Sequence, residues 1–201
     1  MAAVSEIMVR EYFELHGFFV RQQRKYIAPA RAEEEEADFF ILNPHYQQGT
    51  RPPPFLLSSN DLASVSRAVV VVKGWHTETF SPARLAQVPE IFRFVEPSAF
   101  QQASRAFGPD GPLLKIMVVP ALPQIAAARE QSVEMLRGKG IDAIIPFRAM
   151  LADLIDQIEA NRNYQKSDLL QVIRILKNYD FIKEPQLELF KAKKRKRKSR
   201  Q

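Results

Sequence analysis

Four consecutive valines, Val69 to Val72, constrain the fold of this chain more than any other feature of its sequence. β-Branched side chains favour extended backbone, and a run without polar alternation is typical of a central strand buried on both faces. Lys73 follows the run directly. Because a lysine at the end of a buried strand is costly unless water or negative charge surrounds it, we expect an acid or solvent beside Lys73.

Composition narrows the class of protein. The chain of 201 residues, with 46% hydrophobic and 26% charged side chains, is long enough for one domain with an elaboration and a sizeable core. The absence of cysteine excludes disulfides, thiolate catalysis and cysteine-ligated zinc. The first residues lack a secretory pattern and no apolar stretch has membrane-spanning length, so we expect no membrane partner. The predicted location is intracellular: cytoplasmic or nucleoid-associated, or nuclear in a eukaryote.

The positive charge is concentrated at the end of the chain. Eight lysines and arginines lie within residues 191–200, so a net charge of +6 becomes −2 without them. Like charges at this density repel one another, and we predict a disordered basic tail over residues 184–201. Such a tail can bind nucleic-acid phosphates without sequence preference. A nuclear address and a purely solubilising role are the alternatives. The predicted phosphate-binding residues are Lys193, Lys194, Arg195, Lys196, Arg197 and Lys198.

Hydrophobic periodicity predicts alternating helices and strands in an α/β fold. The expected architecture is a central mixed sheet of about five strands flanked by helices. We assign residues 1–147 to this core, 148–183 to a C-terminal helical extension of the same domain, and 184–201 to the tail. Predicted strands span residues 18–26, 37–43, 67–73, 114–119 and 141–147, and the main predicted helices span 4–16, 98–107, 124–137, 149–161 and 167–179.

Two residues at predicted strand ends suggest a nuclease family. Asp38 opens the second strand and Lys73 ends the third. With the element order, they resemble the PD-(D/E)XK nuclease superfamily, whose restriction-endonuclease-like fold has an αβββαβ core. The resemblance covers roughly residues 4–147. Glu6, on the first helix, matches the helical glutamate of the resolvase-like branch. The segment Val71-Val72-Lys73-Gly74-Trp75 is similar to the E-x-K-G-W of that branch, with valine in place of the glutamate.

The resemblance implies phosphodiester hydrolysis of DNA or RNA with Mg²⁺ or Mn²⁺. Asp38 and Glu6 would bind the metal, and Lys73 would position or deprotonate the attacking water. Side chains at 71 and 73 share one face of a strand, so Val71 stands where a carboxylate would face the metal. Glu78 is the expected substitute ligand. The alternative is a catalytically degenerate nuclease-fold domain that acts as a nucleic-acid-binding or protein-assembly module.

Other candidates are weaker. Arg21, Arg24 and Lys25 on the first predicted strand are expected to contact nucleic acid, with DNA favoured over RNA, and association of two copies is left open. Each proposed site residue also has a structural explanation: Asp38 can end an acidic hairpin, Lys73 can reach solvent, and Glu6 can lie on a helix surface. His45 and His76 follow the two candidate strands and could contact phosphate. Trp75 is either a core residue or a base-stacking platform.

Overall fold

The computed structural model describes residues 2–22, 37–47, 51–108 and 112–182. Within them the chain forms six α-helices, five strands and two 3-10 helices. The strands are β1 (Phe19–Gln22), β2 (Phe39–Leu42), β3 (Arg67–Val72), β4 (Leu114–Val119) and β5 (Ala143–Pro146). The α-helices are α1 (Ala2–Leu15), α2 (Pro82–Gln87), α3 (Pro97–Phe107), α4 (Ala126–Gly138), α5 (Phe147–Gln157) and α6 (Asp168–Asn178). The 3-10 helices are Ser59–Ser64 and Pro89–Val95.

The strands form one mixed sheet in the order β1-β2-β3-β4-β5. The first three strands are antiparallel neighbours, whereas β4 is parallel to β3 and β5 is parallel to β4. The valine run lies in the middle strand, where Val69, Val70 and Val71 are buried. The predicted α/β class, the five-stranded mixed sheet and the central position of the valines are therefore confirmed.

The core follows the period of two expected for strands. Val69 and Val71 of β3 pack in one hydrophobic cluster with Met117 and Val119 of β4 and Ile144 of β5. Helical and loop residues complete this cluster on the same side of the sheet; they include Phe80, Leu85, Ile91, Phe94 and Leu136. The valine run of β3 thus packs against apolar side chains because it has no polar position to expose.

Helix α1 ends where glycine allows the chain to reverse into β1. Gly17 has φ +81°, a left-handed conformation that side chains with a Cβ rarely adopt. Phe13, near the end of α1, contacts Phe18 across the turn with ring centroids 5.4 Å apart. Val9, Tyr12 and Phe13 are buried, so the apolar stripe of α1 faces the protein interior.

One edge of the sheet is covered by a loop. The N–H of Leu57 donates to the carbonyl of Ile144 at 2.9 Å, and the N–H of Ile144 donates to the carbonyl of Phe55 at 2.7 Å. The loop thereby pairs with β5 and occupies backbone groups that an edge strand would otherwise leave open. This pairing, between residues far apart in sequence, was not predicted.

The chain departs from the predicted elements around Pro146. We predicted a strand over 141–147 and a helix over 149–161, but β5 ends at Pro146 and α5 begins at Phe147. Proline has no N–H to extend the strand pairing, so the chain leaves the sheet there. The two 3-10 helices were also unpredicted, because segments of 6 and 7 residues are too short to show a helical period.

The chain divides into two compact units, Met1–Gln157 and Ile158–Gln201. Helix α5 belongs to the first unit, where it contacts α1, whereas the predicted extension began at residue 148. In the second unit Ser167 caps α6 by accepting from the N–H of Leu170 at 3.3 Å. The basic tail lies outside the described residues. No described helix has both the length and the apolar character needed to cross a membrane.

Candidate functional site

Three of the predicted site residues lie at one edge of the sheet. Because β2 is antiparallel to β3, the start of β2 lies beside the end of β3. The parallel strands β4 and β5 end at the same edge. β1 also ends there, because its last residue, Gln22, pairs with the first residue of β2. We call this the β3 carboxyl edge. In open α/β sheets, ligands bind preferentially outside the carboxyl ends of parallel strands.

Asp38 connects β2 to β3 through its side chain. Its carboxylate Oδ2 accepts a hydrogen bond from the N–H of Val72 at 2.6 Å, and its own N–H donates to the carbonyl of Val70 at 3.0 Å. The strand register also sets Phe39 opposite Val70, so Asp38, just before β2, and Phe39 both face Val70, as in a β-bulge. Only 7% of Asp38 is exposed. The carboxylate is therefore held in a fixed position at the edge.

A second aspartate makes the same contact elsewhere in the sheet. Oδ2 of Asp142, just before β5, accepts from the N–H of Lys115 on β4 at 2.7 Å. Asp142 lies at the opposite edge, where β4 and β5 begin. An aspartate in this fold can therefore have a role in strand pairing without any role in a site. Asp142 can be used as a control for Asp38 in mutational experiments.

Lys73 extends the pairing of β3 with β4. Its N–H donates to the carbonyl of Val118 at 3.0 Å, and the residue is partly buried. The next residue, Gly74, touches α1: a Cβ placed there would lie 2.5 Å from Oγ of Ser5. Because only glycine permits this approach, the first turns of α1 are drawn to the end of β3.

Glu6 reaches the same edge from α1. Its Oε2 accepts from Nε2 of Gln22 at 3.0 Å. Gln22 is the last residue of β1 and pairs with Phe39, the neighbour of Asp38. The three predicted catalytic residues, Glu6, Asp38 and Lys73, therefore lie at one edge of the sheet.

Val71 is a core residue. It is 1% exposed and belongs to the hydrophobic cluster, against which Trp75 is partly buried. An ionised carboxylate at this position would be surrounded by hydrocarbon, which opposes its charged form. Position 71 therefore suits the valine that the sequence places there.

Glu78 is bound by an arginine. Both of its carboxylate oxygens accept from Arg84, at 2.5 and 3.0 Å. The guanidinium of Arg84 lies over the ring of Trp75, 5.5 Å from its centroid, and Trp75 contacts Phe80 edge-on at 5.8 Å. Trp75 is accordingly part of a packed group, as its core interpretation expected.

No cluster of three or more histidine, aspartate or glutamate side chains with metal-binding geometry occurs among the described residues. Mg²⁺ usually takes only one or two carboxylates from a protein, with water and phosphate completing its shell. The ligand set of Asp38, Glu6 and Glu78 stays a prediction.

Few of the predicted nucleic-acid contacts fall in the described part of the chain. Arg21 is exposed on the outer strand β1, opposite Phe40 of β2. Arg24 and Lys25 lie outside the described residues, as do the six basic residues predicted in the tail.

The structure adds a feature that sequence inspection missed. Oγ of Ser5 and Nε2 of His76 are 2.8 Å apart, and the His76 ring contacts Phe147 edge-on at 4.4 Å. They border a cavity of about 600 Å³ between α1 and α5. Ser5 and His76 are 71 residues apart in sequence, so no local motif could have indicated their contact. The position of His76 after β3 was the only signal.

The other histidines lie away from this cavity. His45 follows β2 at the opposite edge, and its N–H donates to Oδ1 of Asn43 at 2.9 Å. Nε2 of His16 lies 2.7 Å from Oδ2 of Asp153 on α5. This pair joins the end of α1 to α5.

Two side chains on α1 have raised pKa values. Burial raises the pKa of Tyr12 to about 12, and its hydroxyl lies 3.3 Å from Oγ of Ser59. Burial also raises the pKa of Glu14 above its usual value, and Arg10 partly offsets this. Both groups are structural, since they lie near the end of α1 rather than at the β3 carboxyl edge.

No protein-family model, curated protein sequence or solved structure matches the chain.

Proposed function

We propose that this chain is a nucleic-acid-associated, nuclease-like protein, with DNA a better candidate partner than RNA. The observation that supports the proposal is that Asp38, Lys73 and Glu6 all lie at the β3 carboxyl edge. An acid and a lysine at neighbouring strand ends, with a helical glutamate beside them, is the arrangement that PD-(D/E)XK nucleases use.

The order of elements supports the same proposal. A helix, an antiparallel three-stranded meander, helices and a strand parallel to β3 follow one another in the chain. This order matches the αβββαβ core of that superfamily. Fold alone does not determine activity, so the proposal rests on the edge residues and is only strengthened by topology.

For hydrolysis, Asp38 and Glu6 would bind Mg²⁺ or Mn²⁺, which would stabilise charge on the phosphate and activate water. The chain itself would contribute the fixed position of Asp38, set by the N–H of Val72, and the cation of Lys73 beside the scissile phosphate. Glu78 would need to leave Arg84 to join the metal.

A second function is favoured by the burial of Val71. Val71 stands where the family has its glutamate, so the site would lack one carboxylate ligand. The hydrocarbon around position 71 would also oppose the ionisation of a carboxylate placed there. The chain would then bind nucleic acid, or assemble with protein, without cleaving it. The first function includes cleavage of nucleic acid, whereas the second is limited to binding nucleic acid or protein.

An assay of the purified chain with single-stranded, duplex and branched DNA and with RNA, in Mg²⁺ or Mn²⁺, separates them. For the nuclease we expect cleavage that Asp38→Ala and Lys73→Ala abolish. Asp142→Ala, which removes the equivalent strand contact at the other edge, should cleave like the parent. An inert parent and a Val71→Glu variant that cuts would support the degenerate domain.

Binding is measured in parallel, by fluorescence anisotropy of labelled DNA and RNA. Association without cleavage supports the second function. If neither association nor cleavage is detected with any substrate, the nucleic-acid proposal is wrong and only protein assembly remains.

A further inference from the structure

The cavity between α1 and α5 is built mainly from hydrocarbon. Its apolar walls are Val4 and Met8 from α1, Pro120 after β4, and Phe147 and Leu151 from α5. A volume of about 600 Å³ is within the range of small-molecule sites in proteins. A wall of this composition favours a ligand with an apolar body.

The polar groups of the cavity are few. Ser5 and His76 hydrogen-bond to each other in one wall, and Arg148 is the charged residue of the lining. The lining drawn from the described residues includes no aspartate or glutamate. Arg148 is exposed and has no hydrogen bond or ion pair to another described residue. The charge of this lining is therefore positive.

We infer that the cavity binds a small organic carboxylate with an apolar chain or ring, its carboxylate on Arg148 and its body against Phe147, Met8 and Leu151. Arginine pairs with a carboxylate through two parallel hydrogen bonds, which gives orientation as well as affinity. Among the described residues the lining has only three polar side chains, so it offers little to the several polar edges of a nucleobase. This favours a carboxylate with a hydrocarbon body over a nucleotide.

The inference is independent of the nuclease-like function. The cavity lies between α1 and α5, and its lining, as far as the chain is described, includes none of the side chains assigned to the metal. Cleavage of nucleic acid can fail while the carboxylate binds, and the reverse can also occur.

The test is calorimetric titration of the full chain with decanoate, and with decanol and decylamine as uncharged and cationic analogues of the same length. We expect decanoate to bind at least tenfold more tightly than either. Arg148→Gln should remove this preference, Arg148→Lys should retain part of it, and Arg129→Gln, which changes an exposed arginine on α4, should leave it intact. Equal binding of decanoate and decanol would refute the role of Arg148.

A cavity-filling variant tests the location. Leu151→Trp should weaken binding of all three probes, and Met8→Trp, which fills the same space from α1, provides a second variant if the first fails to fold. Undiminished decanoate binding by a folded filled variant, or absence of binding by the parent chain, would overturn the inference.

Discussion

Asp38 illustrates how one residue can be both a structural and a chemical candidate. Its carboxylate satisfies the N–H of Val72, which a regular ladder would pair with a β2 carbonyl. The bulge just before β2 adds one residue opposite β3, and it explains why Ala37 and Phe40 share one hydrophobic cluster although strict alternation would separate them. The sequence indicated the acid but not the bulge, because an extra residue leaves no mark in a short apolar strand.

Removal of the Asp38 carboxylate should destabilise the sheet. Asp38→Ala leaves the N–H of Val72 without its acceptor, and we expect a loss of about 1–3 kcal/mol. Asp38→Asn keeps an oxygen in place and should lose less. Urea denaturation measures both. If the midpoint for Asp38→Ala equals that of the parent, the bond contributes nothing to stability, and its loss cannot explain any loss of activity.

Tyr12 should make the protein sensitive to alkali. Its pKa is raised from 10.0 to about 12 by burial. Between these pH values the Tyr12 hydroxyl therefore stays protonated in the folded protein and ionises in the unfolded chain. Stability from this group is complete below pH 10 and is lost as the pH rises to 12, by about 2–3 kcal/mol. Tyr12→Phe should lose less stability over that window. Denaturation at several alkaline pH values measures the difference.

An exposed tyrosine provides the control for that experiment. Tyr179 is 73% exposed, so Tyr179→Phe should retain the alkaline loss seen in the parent. Identical pH profiles for the parent and Tyr12→Phe would contradict the assigned role of Tyr12.

At the scale of elements, Gly74 sets how closely α1 approaches the end of β3. Gly74→Ala would bring a methyl group within 2.5 Å of Oγ and 3.0 Å of Cβ of Ser5, so Ser5 or the backbone near it must shift. Such overpacking costs about 1–3 kcal/mol, measured by thermal or urea denaturation. The double variant Gly74→Ala/Ser5→Gly should recover part of the loss, because it removes both contacted atoms.

Another glycine shows the ordinary effect of the same change. Gly138 is the last residue of α4, and a methyl group added to it would meet no atom within 4 Å. Gly138→Ala should therefore be neutral or slightly stabilising. A loss at Gly138 as large as at Gly74 would mean that the loss of glycine itself, and not contact with Ser5, determines the cost.

The elements with the strongest patterns were predicted best. The buried valines of β3 and the residues of β4 matched the structure, because an uninterrupted apolar run has few alternatives. Sequence inspection assigned Phe147 to a strand although it begins α5, since the apolar run continues through Pro146 while the backbone changes conformation. At the site, strand ends were predictable from sequence. The cavity near His76 was not, because it depends on how α1 and α5 pack.

At the scale of the whole molecule, charge is distributed unevenly along the chain. Deletion of residues 191–201 removes eight positive charges and leaves a net charge of −2. We expect the truncated chain to bind duplex DNA more weakly, because its body then repels phosphates. The slope of log K against log salt should become shallower by up to about 7, the value for eight released counterions. Anisotropy titrations over a salt series measure this slope.

A chain whose tail is replaced by an uncharged segment of equal length separates charge from length. It should bind like the truncated chain. If DNA binding and its salt dependence are unchanged in both variants, the tail is not the DNA contact. The contact would then be assigned to Arg21 and the sheet edge, or to Arg24 and Lys25.

The pairing of Phe55 and Leu57 with Ile144 has a consequence for protein synthesis. On the ribosome, Leu57 emerges 87 residues before the strand that accepts its N–H. At roughly 5–20 residues per second, the nascent loop waits about 4–17 seconds for its partner. Isomerisation of a prolyl peptide bond takes tens of seconds, so few of the bonds before the prolines at positions 52–54 change isomer during this interval. Pairing of the loop with β5, the last strand among the described residues, is therefore limited by synthesis of the residues between them, and prolyl isomerases should leave the maturation rate of the newly made chain unchanged.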